Sequence, residues 1–238
     1  MPDPEYPGTP RAPASGSDSA QDKSDKRAAR RTRRNLRKAA AEGYLEGICA
    51  MLRPGDLALD CGANMGVVTA QLAATGAEVI AFEPDPFAFA HLTQRFAEQA
   101  NVTLVNAALG VEEGQVILNR AENFDSNPQG ASVKSTIMPG GRAIARENGI
   151  EVRLADTPAL IETLIAERGE IAFVKMDIEG AELDILEALD NGGQLERIRC
   201  LVAETHERKF KHLRPRFRTL RRRLEEKYPR RKVNLDWI

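Results

Sequence analysis

Residues 57–85 read LALDCGANMGVVTAQLAATGAEVIAFEPD: an apolar run, two glycines four apart, a helical stretch, and a second apolar run ending in Glu83. This order constrains the fold more than any other feature of the chain. Runs that are apolar at nearly every position belong to strands covered on both faces, the condition of a parallel sheet with crossover helices. The alternation continues. Strands are expected over 57–61, 78–82, 102–106, 170–177 and 197–204, with helices over 67–74, 86–100, 158–168 and 179–189. Between them, LGVEEGQVILNR reads as a hairpin turning at Glu113 and Gly114, and 151–154 as an edge strand. The β-α-β order makes the body an open, doubly wound α/β domain with a mostly parallel sheet.

The flanks differ from the body. Residues 1–25 are rich in Pro, Ser, Gly, Ala and Asp without apolar periodicity, and read as a disordered tail. Residues 26–55 read as a helix, basic at first and amphipathic later, with Leu45, Ile48 and Leu52 on one buried face. The α/β body is placed at 56–207. A basic extension over 208–238 completes the sheet, with a helix in RFRTLRRRLEEKY and a last short strand in KVNLDWI. Charge follows the same division. The formal net charge of −1 hides +5 over residues 1–38, −16 over 39–207 and +10 over 208–238. Ends and body therefore suit different partners, and an anionic partner is one reading of the Arg-rich ends. Three cysteines without a CxxC pair fit a reducing compartment. With no apolar run long enough to span a bilayer and no hydrophobic leader, the chain reads as soluble and cytoplasmic.

In a doubly wound sheet a ligand lies outside the carboxyl ends of the strands, at the switch point. Gly62 and Gly66 let the chain turn tightly there and let a ligand approach. Asp60 and Asn64 supply polar atoms, and Glu83, at the end of the second strand, can accept from both hydroxyls of a ribose. A dinucleotide fingerprint wants G-x-G-x-x-G, whereas this run is D-x-G-x-N-x-G. The acidic neighbourhood discourages a polyphosphate and suits a sulfonium cation.

The blocks LDCGANMGVVTAQLA, AFEPDPFAFAHL, NAALG, VKMDIEGAELDILEAL and LVAETHE resemble the FkbM-type S-adenosylmethionine-dependent methyltransferases, in order, over about residues 44–207. The resemblance implies a Rossmann-like methyltransferase fold and an O-methyltransferase acting on a hydroxyl of a small metabolite or saccharide. It implies that Asp60, Gly62, Asn64 and Gly66 wrap the methionine end of S-adenosylmethionine. Glu83 would hold its ribose, Pro84 and Asp85 shape the adenine side, and Asn106 and Ala107 lie near the adenine edge. Both Arg-rich ends fall outside the resemblance, and the fold's usual final antiparallel hairpin has no evident counterpart.

Methylating an alcohol requires a base. The loops after strands four and five carry Asp177, Glu179, Glu182, Glu204 and His206. The preferred assignment makes His206 the general base, with Asp177 orienting base or acceptor and Glu179 beside them. The rival is Mg²⁺ on Asp177 and Glu179, with Glu204 as a further ligand. Asp177, Glu179 and Glu182 also suit a plain helix start. Ser132, Ser135 and Thr136 are candidates for the acceptor pocket. The alternative reading is a nucleic-acid-binding protein, or an RNA methyltransferase, that uses the basic ends around a methyltransferase-like body.

Overall fold

The computed structural model describes residues 20–132, 135–138 and 149–237. Of the tail expected over 1–25, residues 1–19 lie outside the described residues, as do 133–134 and 139–148 of the loop expected over 119–150. Residues 20–25 differ from expectation, because α1 runs over Ala20–Met51. Its Ala, Gln, Lys and Arg content favours helix even where no apolar stripe exists to reveal it. The described residues fall into two units, divided between Ala40 and Ala41. In the first, every described side chain from Ser24 to Ala40 is exposed.

The second unit holds a six-stranded, wholly parallel sheet. Its strands are β1 (Leu57–Cys61), β2 (Glu78–Phe82), β3 (Val102–Val105), β7 (Ile171–Met176), β8 (Ile198–Ala203) and β9 (Val233–Asn234), in the order β3-β2-β1-β7-β8-β9. Its helices are α2 (Val67–Ala73), α3 (Pro86–Arg95), α5 (Thr157–Arg168), α6 (Glu182–Asn191) and α7 (Arg214–Lys227). β1 and β7 are buried at every position, Asp60 and Lys175 included, as strands covered on both faces must be. Chain progression reverses between β1 and β7, so the switch-point crevice opens at the ends of these two strands.

A second sheet corrects two expectations. Residues 109–120 do not pair as a hairpin. β4 (Ala108–Gly110) and β5 (Gly114–Leu118) are separated by β6 (Ile150–Asp156), parallel to the first and antiparallel to the second. The segment expected at an edge is thus the centre of a three-stranded sheet. Glu113-Gly114 gives a local turn signal, but a partner more than thirty residues downstream leaves no local trace. A short α4 (Pro128–Ala131) lies between them in the chain. α6 also begins later than expected, because Glu179 (φ 61°) and Gly180 (φ 123°) leave the helical region.

The C-terminal basic run is no free arm. Phe217, Leu220 and Leu224 of α7 are buried at 3–4 spacing, each contributing about 1.5–3 kcal/mol. Its cations meet the acidic α6: Arg216 lies 2.7 Å from Asp184 and 2.5 Å from Glu187, while Arg223 and Lys227 flank the buried Asp190 at 2.5 and 2.8 Å. β9 then adds parallel to β8, and a single antiparallel bridge joins Glu204 to Asp236. Among the described residues no helix is long and apolar enough to cross a membrane.

Candidate active site

One wall of the crevice is the turn after β1. The Gly62 and Ala63 amides both donate to the Phe82 carbonyl, which holds the turn against β2. Gly62 sits at φ 83°, and a Cβ there would lie 1.9 Å from the Asp177 carbonyl oxygen. Only glycine lets the β1 turn pass so close to the end of β7. Asn64 adopts φ 47°, which Asn tolerates better than most residues. Its amide donates to Glu83 Oε2 at 2.8 Å, and its side-chain nitrogen donates to Ser132 Oγ at 3.1 Å.

Glu83 ends β2 and is buried. Its other oxygen accepts from the Asp85 amide at 2.9 Å. Burial pushes this carboxyl up to about 7, against the two amides that favour the anion. Asn106 holds the turn that follows, donating to the carbonyls of Glu83 (2.7 Å) and Pro84 (3.2 Å). Asp85 caps α3 through the Phe87 amide and takes a two-pronged bond from Arg120 at 2.8 and 2.9 Å.

Asp60 is placed differently from the other residues expected here. Its carboxylate is fully buried under the floor, 2.7 Å from Thr69 Oγ1 and 3.2 Å from Lys175 Nζ, and it does not line the cleft. Burial alone would lower the Lys175 ammonium, but Asp60 and Asp177 outweigh it and push it up. Lys175 also donates to the Gly62 carbonyl at 2.7 Å. Asp60 therefore meets the glycine turn through Lys175, a residue the motif reading missed. A lone lysine inside the apolar run IAFVKM was the available signal.

The opposite wall belongs to β7 and β8. Asp177 and Glu179 line the cleft. Behind them Glu182, wholly buried, accepts from the amides of Ile178 and Gly180 at 2.9 Å each and so fixes the turn. His206 is buried against it, with Nδ1 2.9 Å from Glu182 Oε1. Nε2 lies 3.3 Å from Glu179, 3.8 Å from Asp177 and 3.9 Å from Glu204. Burial would lower the imidazole, but Glu179 and Glu182 prevail and push it up to about 10. Burial raises Glu204, with help from the Asp177 charge, to about 7. Glu179 is lowered despite burial, by His206 and by Lys209, with which it forms an ion pair.

Between the walls lies a narrow slot of about 650 Å³, its open mouth included. Gly62, Asn64, Glu83 and Pro84 line one side, and Ala107, Leu109 and Leu118 form an apolar side. Ser132, Ser135 and Thr136 close the rim. Thr136 Oγ1 donates to the Glu179 carbonyl at 2.6 Å. Gly66, Asn106, Glu204 and His206 support the slot without lining it. For a metal, Asp177, Glu182 and His206 are the trio among the described residues whose donor atoms come within 4.8 Å of one another, rather than the expected Asp177, Glu179 and Glu204. Both Glu182 oxygens are already taken by backbone amides, and Lys209 and His206 supply counter-charge, so the donor set does not fit a divalent cation as it stands.

Residues 60–228, spanning β1 to α7, match the methyltransferase FkbM domain. The chain belongs to the FkbM methyltransferase family. This match runs through α7, so the basic helix set outside the resemblance by its sequence is part of the family domain. The chain is 32% identical over 176 residues to the 31-O-demethyl-FK506 methyltransferase FkbM of Streptomyces tacrolimicus, covering 66% of this chain and 67% of that one. It is 26% identical over 151 residues to the hexuronic acid methyltransferase AglP of Haloferax volcanii, covering 63% and 56%. The chain thus spans about two thirds and just over half of these relatives' lengths.

Proposed function

We propose that this FkbM-family chain is an S-adenosylmethionine-dependent O-methyltransferase whose acceptor is a hydroxyl of a small molecule or saccharide. The observation that carries the reading is that Glu83 and the Gly62–Asn64 turn face one slot, at the switch point, whose far wall holds Asp177 and Glu179. S-adenosylmethionine would supply an electrophilic methyl group, leaving as a neutral thioether. Glu83 keeps lone pairs for two ribose hydroxyls beside those its backbone donors use. Ala107, Leu109 and Leu118 offer the apolar surface an adenine needs. Asp60 supports the methionine end indirectly, by holding Lys175 on the Gly62 carbonyl.

The proton from the acceptor hydroxyl goes to Asp177, which lines the slot, with Glu204 behind it to take the proton on, and this reassigns the base. Nδ1 of His206 faces Glu182 and Nε2 faces three carboxylates, so both nitrogens are placed as donors. A doubly donating imidazolium has no lone pair with which to accept a proton. His206 instead holds the carboxylates in place, and a carboxyl raised toward 7 suits proton transfer near neutrality. Calorimetry with S-adenosylhomocysteine tests the reading: micromolar binding that Glu83→Ala removes is expected, and no heat at hundreds of micromolar ends it.

A further inference from the structure

We propose that the basic face of α1, over residues 26–38, is a docking surface for an anionic lipid bilayer. At about 100° per residue, six arginines (27, 30, 31, 33, 34 and 37) fall within one arc of roughly 160° around the helix axis. Lys26 and Lys38 lie in the same arc. The opposite face carries Ala28, Ala29, Thr32, Asn35, Leu36 and Ala39. Plain solubility needs no such segregation, since scattered charges would serve as well. The basic face spans about 18 Å at 1.5 Å per residue, and all of these side chains are exposed.

The partner is chosen by shape and by what the helix lacks. An arc narrower than half the circumference addresses a plane, because every charge in it can reach one flat surface. A helix lying in a duplex groove is flanked on both sides as well as below, and uses more of its circumference. Single-strand readers stack bases on aromatics, and residues 20–43 contain none. Leu36 alone on the far face gives no apolar stripe for insertion. A helix with four to eight Lys and Arg on one face suits anionic headgroups. Attachment is therefore electrostatic, reversible and salt-sensitive.

The test is vesicle flotation of the full chain. Vesicles of phosphatidylcholine with about 30 mol% phosphatidylserine should carry the protein up at low salt. Pure phosphatidylcholine, or about 0.5 M salt, should not. Substituting Arg30, Arg31, Arg34 and Arg37 together by Gln keeps helix propensity and should weaken binding on the order of 10²- to 10³-fold. Thermal melting checks that this variant keeps its folded body, and Leu36→Gln should bind as the parent does. Equal flotation with neutral vesicles, retained binding by the fourfold variant, loss on Leu36→Gln, or preference for duplex DNA at matched phosphate would each overturn the proposal.

Discussion

Replacing Gly62 by alanine tests the geometry on which the site depends. Two costs are added. An L-residue at φ 83° costs about 1–2 kcal/mol in the left-handed region. The new Cβ also meets the Asp177 carbonyl at 1.9 Å. That carbonyl cannot yield cheaply, because the Asp177 amide is bound to the Cys61 carbonyl and the next amide to Glu182. Overpacking of this kind costs about 1–3 kcal/mol. The sum, about 2–5 kcal/mol, should lower the melting temperature by roughly 4–20 °C for a chain of this size. Gly55→Ala is the internal control, with φ 92° but open space around its Cβ, so it carries the conformational cost alone. Differential scanning fluorimetry gives the stabilities and calorimetry the affinity for S-adenosylhomocysteine. Gly62→Ala should also weaken that affinity at least tenfold, because it pushes Asp177 and the turn apart, whereas Gly55→Ala should not. If the two variants melt within a degree of each other and bind alike, the close approach of β1 and β7 is not what the glycine serves.

Glu83 is raised to about 7, so its anion is lost as pH falls through that value. Affinity for S-adenosylhomocysteine should drop up to about tenfold from pH 8 to pH 6, and a Glu83→Gln variant with the same slope would refute this. For catalysis, kcat/KM should rise with pH through about 7, following the ionisation of Glu204. Glu204→Gln should abolish that limb, whereas His206→Gln, by removing a cation, should move it to higher pH; a limb that vanishes with His206→Gln restores the imidazole as base. His206 also bears on stability. Its folded value near 10 exceeds the ordinary 6.5, so its contribution is full below about 6.5 and is lost as pH rises through about 10. Urea melts across that range should flatten in His206→Gln. Beneath the floor, Asp60→Ala leaves the Lys175 ammonium buried without its partner and should cost about 3–5 kcal/mol by denaturant titration. The apolar double replacement Asp60→Leu with Lys175→Met should recover most of this, and an unchanged midpoint for Asp60→Ala would remove the ion pair from the account.

Much of this protein is legible one segment at a time. Strands buried on both faces announce themselves as apolar runs, so β1, β2, β7 and β8, the crossover helices and the D-x-G-x-N-x-G turn follow from the order of residues alone. A strand that draws its partner from a distant segment does not. Thus β4 and β5 read as a hairpin until β6 is seen between them.

The site divides in the same way. Sequence determined which polar residues stand at the strand ends, because strand ends are local features. Only the fold decided which of them face the slot. Asp60 points down to Lys175 because β1 and β7 are neighbours, and His206 is flanked by acids because the turns after β7 and β8 meet. Charge behaves likewise, since the arginines of α7 read as an arm until α6 places Asp184, Glu187 and Asp190 beneath them. A side chain's chemical type is written in the chain, but its protonation and its partner depend on neighbours brought together through space.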